Sequence, residues 1–333
     1  MSRNRTLSVH TQHELLLKFE QAGLTEEDAQ LVIGSRGNKL AKSLVQFARN
    51  GGLPLPANGG SASTGLPVPA SAVAPKNPFE KERTEQRWFY PKGFAVPNVS
   101  IQIERVQRLW PGIDVSHVAT LAEHFNNLPA GFDGIEVKPK VSYFGRAWEM
   151  ADPYGAHYGP TVERVLAMLH AERNWKFINH RAGQMTDEYI RIQAEALSLM
   201  KVIEETTPGD VLVMPVSLGN LYAGYSARNG RWDALAKSYM PNGSAHVGCS
   251  LLVMPERLTA YEQLFMDCCA DEWNWDVDGR WTYCPIFRFS DGHLQFIATW
   301  ADDAHGRYGG VVSCPRAGLR FVTCPFVPPS GGH

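Results

Sequence analysis

The sequence predicts an α+β protein in two parts: a small N-terminal helical module, a flexible linker, then a helical region leading into a β-rich C-terminal region. Three observations carry this reading. Residues 10–50 place apolar side chains at helical spacing, residues 51–75 contain no charged side chain and are dominated by Gly, Pro, Ala and Ser, and from Gly209 onward the apolar period becomes that of strands. The expected layout is a three-helix module at 7–50, a linker at 51–76, a mainly helical part at 77–206 and a β-rich part at 207–328.

In the module, Leu15, Leu16, Phe19 and Ala22 form one stripe that stops at Gly23. Thr25 caps a second helix whose first turn carries Glu26, Glu27 and Asp28, which suit the positive end of the helix dipole, and Gly34 closes it. A third runs from about Asn38 through Leu40, Leu44, Val45 and Phe47 to Gly51. A unit this small buries little, so it is expected to dock on a partner.

The main domain starts where charge and aromatic residues return together, at Trp88, Phe89 and Tyr90. Helices are expected at 99–110, before Pro111 and Gly112, at 116–126, at 160–173 and at 187–206 behind Thr186. The apolar runs Val211 to Val216 and Val247 to Met254 read as buried strands, with a short helix at 260–266 behind a Thr259 and Glu262 capping box.

A hairpin is the clearest local signal. Phe287 to Ser290 and His293 to Ile297 flank Asp291 and Gly292, a pair suited to a type I′ turn. Pairing outward from it sets Phe289 opposite Leu294, Phe287 opposite Phe296 and Arg288 opposite Gln295, one face apolar and the other polar. Val311 to Cys314 and Leu319 to Thr323 are the remaining strands.

A formal net charge of -2 gives no global attraction to a phosphate backbone or an anionic membrane, so nucleic acid is not an expected partner. No apolar run approaches the roughly 18 residues that would span a bilayer. Met1 to Thr6 lead into no secretory apolar stretch, so the expected location is cytoplasmic, where six cysteines confined to the last third read as buried thiols.

Nucleotide-binding glycine loops, an H-E-x-x-H helix, a C-x-x-C pair and a G-x-S-x-G elbow are all missing from the sequence, and no cofactor is expected. His170 and Glu172 spell half of a zinc deaminase site without the cysteine half. Asn274, Asp276, Asp278 and Gly279 match the front of a calcium loop, but its last ligand position falls on Pro285. Asp114, Ser116 and His117 are too close in sequence to align as a hydrolytic triad.

Trp273, Trp275, Trp281 and Trp300 crowd four of nine tryptophans into one short stretch, interleaved with polar residues. The hairpin period points Arg288, His293 and Gln295 outward, and the loop 301–310 is too polar to bury. Aromatic, Arg and His side chains on exposed turns are the composition of a recognition surface. The expected ligand-binding residues are therefore Trp281, Tyr283, Arg288, His293, Gln295, Asp302, His305, Arg307 and Tyr308.

The stretches 77–94, 151–159, 207–232 and 257–275 resemble a family of hypothetical proteins recurring in bacteria with reduced genomes, which implies the domain layout. Residues 257–314, with FSDGHLQF as a hairpin and GRYGGVVSC as a closing strand, resemble the end of C-type-lectin-like domains. These are the domains shared by formylglycine-generating enzymes and the variable proteins of diversity-generating retroelements. That resemblance implies a scaffold whose irregular loops contact a protein or small-molecule ligand, and favours binding over catalysis. The alternative is a hydrolase-like enzyme assembled from dispersed residues such as Asp152, His157, His246 and Cys249, recognisable by a His in hydrogen-bond contact with a nucleophile or carboxylate in a pocket. A third reading, a structural interaction protein, would act through the helices and linker alone.

Overall fold

The computed structural model describes residues 76–315 apart from 126 and 175, all within the unit Val73–His333. The three-helix module, nearly all of the linker and the strand expected at 319–323 lie outside the described residues.

Helices and a mixed sheet alternate along the described chain. The helices are α1 (Val99–Leu109), α2 (Val118–Glu123), α3 (Val141–Ala147), α4 (Tyr158–Glu172), α5 (Ala194–Thr206), α6 (Ala227–Ala236) and α7 (Ser244–Val253). The strands are β1 (Gly134–Pro139), β2 (Phe177–Asn179), β3 (Ile190–Ile192), β4 (Val211–Ala223), β5 (Met240–Pro241), β6 (Met266–Asp267), β7 (Asp271–Trp273), β8 (Tyr283–Ser290), β9 (His293–Trp300) and β10 (Gly309–Ser313). Among the described residues no helix is long and apolar enough to cross a membrane.

The sheet runs β1-β4-β10-β6-β8-β7-β3, with β5 on β10 and β9 between β8 and β2. Three of its strands come from the segment expected to be mainly helical, and each pairs with a strand beyond residue 207: β1 with β4, β2 with β9, β3 with β7. The hairpin register is as the turn dictates, with Phe287 opposite Phe296, Arg288 opposite Gln295 and Phe289 opposite Leu294. Asp291 and Gly292 take φ of 54° and 76°, the left-handed pair that a type I′ turn requires.

Of residues 247–254, expected as a strand, 247–253 belong instead to α7, in which every residue from Ser244 to Val253 is buried, and Met254 caps its end. A continuously apolar segment has the same pattern in either state, and its surroundings decide. Gly248 marks the reason: a Cβ there would lie 2.6 Å from Val165 Cγ1, so α7 and α4 approach at van der Waals limit. Residues 260–266 are not a helix either, because Glu262 sits at φ 67° and the Gln263 side chain accepts from the backbone of Thr259 and Ala260 at 2.7 and 3.1 Å. The helix expected from 187 begins only at Ala194, behind Gln193, whose side chain accepts from Glu195 and Ala196; Ile190–Ile192 before it form β3.

Sequence reasoning did not foresee α3 or α6. α6 has a local cap, Ser226, whose hydroxyl accepts from Asn229 N at 3.2 Å. α3 takes its cap from afar: the Glu204 carboxylate of α5 accepts from Val141 N at 2.8 Å, Ser142 N at 2.9 Å and Ser142 Oγ at 2.6 Å.

Candidate functional site

The pairing of β8 with β9 sets Tyr283 opposite Trp300, and their rings stack with centroids 4.1 Å apart at 29°. Trp275, on the loop after β7, extends the stack, its ring 5.2 Å from Tyr283 at 33°. Trp300 is 53% and Trp275 39% exposed, which leaves a ridge of three rings open to solvent. Arg181 lies 3.6 Å over Trp275, and burial pulls its pKa below the usual range. Beside the ridge, Arg191 lies 4.0 Å over Trp281, held there because β3–β7 register puts it opposite Glu272, whose Oε2 accepts from Arg191 Nε and Nη2 at 2.9 and 2.7 Å. Cation–π contacts of this kind fix the indoles in orientation at little entropic cost.

Trp281 and Tyr283 belong to this neighbourhood, but the other expected binding residues separate into different groups. Arg288 Nε donates to Gln295 Oε1 at 3.0 Å, and Gln295 in turn donates to Ser290 O at 3.2 Å. Gln295 is 3% exposed rather than outward-facing, and its strand is not an edge, since β2 pairs with β9 in parallel on the side away from β8. His293 Nδ1 lies 2.7 Å from Asp291 O at the hairpin tip. Asp302 stands 3.6 Å from Arg228, which also pairs with Glu82. His305 and Arg307 share a turn with Tyr308, and Tyr308 is buried, its hydroxyl 3.3 Å from Thr299 Oγ1. The loop 301–310 is thus only partly exposed: Asp302 and Asp303 face solvent, while Ala301, Gly306 and residues 308–310 are buried.

Arg181 and Arg191, which orient the tryptophans, escaped sequence reasoning. Both lie about one hundred residues before the rings they cover, and nothing local to them signals it.

The residues of the hydrolase alternative also part. Asp152 accepts from the backbone of Gly155 and Ala156 at 3.0 and 3.3 Å, ahead of α4. His246, on α7, sits with Nε2 3.4 Å from Glu204 Oε1 in a wholly buried cluster. Glu136 and Lys138, on one face of β1, pair there at 2.6 Å, and Lys138 Nζ donates to Asn242 Oδ1 at 2.7 Å. Burial pushes the His246 pKa down, against the opposing pull of Glu204, and drives the Cys249 thiol far up. A thiol so raised is no nucleophile near neutral pH.

The partial motifs resolve into structural pairs. Arg108 engages both carboxylate oxygens of Glu172 at 2.9 and 2.8 Å, and His170 Nδ1 lies 3.1 Å from Phe177 O. Asn274 is buried, with its amide donating to Glu188 O at 3.2 Å, and Asp278 pairs with Arg280. Asp114 Oδ1 accepts from Ser116 N at 2.9 Å. The described cysteines are free thiols, all buried except the half-buried Cys314. Comparison of the chain with protein-family models, with curated proteins and with solved structures finds no significant match.

Proposed function

We propose that this is a recognition protein that binds a protein or small-molecule ligand through the ridge formed by Trp275, Tyr283 and Trp300, flanked by Arg181 and the Arg191–Trp281 pair. The observation that carries this is the exposure of two tryptophans of a three-ring stack anchored at paired strands. Large aromatic side chains left in water on a rigid support give contact area with little ordering cost, which is the property of binding hot spots. The sealed His246–Glu204 cluster favours this reading over the hydrolase-like one, since its ionisable groups are 3% exposed or less. In the proposed reading the C-terminal region is a C-type-lectin-like domain and the protein a variable binder of a diversity-generating system.

The test is to screen the immobilised full chain against glycan and peptide arrays and to measure the hits again with the W275A/W300A variant. Hits should weaken by roughly tenfold or more, the loss of one or more hot-spot contacts, with unchanged thermal unfolding. Hits that bind the variant as well as the parent would remove the ridge from the proposal.

A further inference from the structure

We propose that the turn His305–Tyr308 is an oxyanion-binding site, built by Arg307 and His305 together with Arg87 and separate from the aromatic ridge.

The turn closes through Tyr308 N donating to His305 O at 2.9 Å. Residues 85–88 are pressed against it: Arg87 N and Trp88 N donate to Gly306 O at 2.7 and 3.1 Å. A Cβ at Gly306 would lie 2.5 Å from Glu85 O and 2.7 Å from Arg87 Cγ, so only glycine admits this approach. The close contact brings three basic side chains together around one glycine, from segments more than two hundred residues apart in sequence.

Arg307 is oriented but uncommitted. Its guanidinium carbon lies 5.9, 5.5 and 5.6 Å from the ring centroids of Trp88, Phe265 and Tyr308, and its backbone carbonyl is fixed by Phe265 N at 2.8 Å. Its side chain has no carboxylate or carbonyl partner among the described residues, and Nε is buried without an acceptor. Arg105, Arg108, Arg146, Arg191, Arg228 and Arg280, by contrast, each hold a carboxylate. A guanidinium held among rings keeps its terminal N–H groups as donors of the kind that receive a carboxylate or phosphate.

His305 supplies a further donor. Its Nδ1 accepts from Arg307 N at 3.3 Å, which assigns the proton of the neutral ring to Nε2. Burial, then Arg307, then Arg87, hold its pKa below the usual value, with Asp303 opposing. Two guanidinium groups with no shared anion repel one another, a bound oxyanion relieves that repulsion, and the neutral His305 ring donates to it through Nε2. The exposed Asp303, and Glu85 in the segment beside Gly306, are acidic groups that limit how much charge the site attracts.

The experiment titrates the full chain with inorganic phosphate and, in a second arm, acetate, against chloride at equal ionic strength. The readouts are the His305 ring resonance, assigned with H305Q, and thermal unfolding. A saturable shift of that resonance is expected, with R307Q weakening phosphate roughly tenfold or more, as loss of a charge-assisted hydrogen-bonding group requires. R87Q should weaken it less, and R280Q, which removes an exposed arginine already paired with Asp278, should change nothing. If R307Q fails to fold, the exposed Arg87 decides: an unchanged affinity in R87Q overturns the site, as does a parent chain with no saturable response. W275A/W300A should bind phosphate normally, so a failed ridge and a failed oxyanion site are told apart. Comparison of the two arms assigns the anion as phosphate or carboxylate.

Discussion

Asp267 sits in β6 between β8 and β10, 2% exposed, with Oδ1 lacking any partner. Burial pushes its pKa up to about 7, against the pull of the Gly309 N–H and with a small push from Asp303. The sign of the consequence is fixed by linkage. A carboxyl whose folded pKa exceeds its unfolded value binds more protons in the fold, so its contribution is complete at low pH and is lost as pH rises toward 7. D267N removes that loss while keeping an acceptor for Gly309. The stability of D267N relative to the parent should therefore climb at up to about 1.4 kcal/mol per pH unit between roughly pH 4 and pH 7, then level off. Urea unfolding at a series of pH values measures it, and a difference independent of pH would show that Asp267 is not desolvated as described. Asp271 is also raised to about 7 by burial, although Tyr158 and Ser244 donate to it, so the parent curve alone would mix the two. The elevated carboxyls and the Arg–Trp pairs were not legible in the sequence, because burial and pairing across strands are set by residues far away in the chain.

At the scale of elements, Gly248 tests whether propensity or packing governs α7. Alanine in a helix interior is favoured over glycine by roughly 1 kcal/mol. A methyl at this position would meet Val165 Cγ1 at 2.6 Å, and Leu169 and Phe287 lie behind it. Overpacking a tight core costs about 1–3 kcal/mol, so the steric term exceeds the propensity gain and G248A should lower stability. Chemical denaturation reads the sign directly; a stabilised variant would mean that α4 yields to α7 without strain. The hairpin stands at the other extreme. Its register was legible because Asp291–Gly292 and the alternating residues beside them are contiguous, whereas the helical state of α7 depended on which surfaces enclose it.

For the whole molecule, the sheet ties the two sides of residue 207 together. β4 lacks its neighbour β1 without the earlier segment, β9 lacks β2, β7 lacks β3, and α7 loses its packing against α4. A fragment beginning at residue 207 should therefore show no dispersed amide spectrum, and co-expression with residues 77–206 should restore it; cooperative folding of the fragment alone would refute this dependence. The sequence by itself determined the α+β class, the hairpin with its register and the crowding of tryptophan near Trp300, since each depends on turn chemistry, periodicity or composition within a short window. Tertiary structure alone decided that Val247 to Val253 are helical and that Gln295 is buried. It also decided that Tyr308 turns inward, and that Arg181, Arg191 and Arg87 arrive beside rings or turns remote in sequence. The physical reason is common to all of these. A local pattern states that a residue prefers burial or exposure, but which distant segment supplies the burial is settled only when the strands pair and the helices pack.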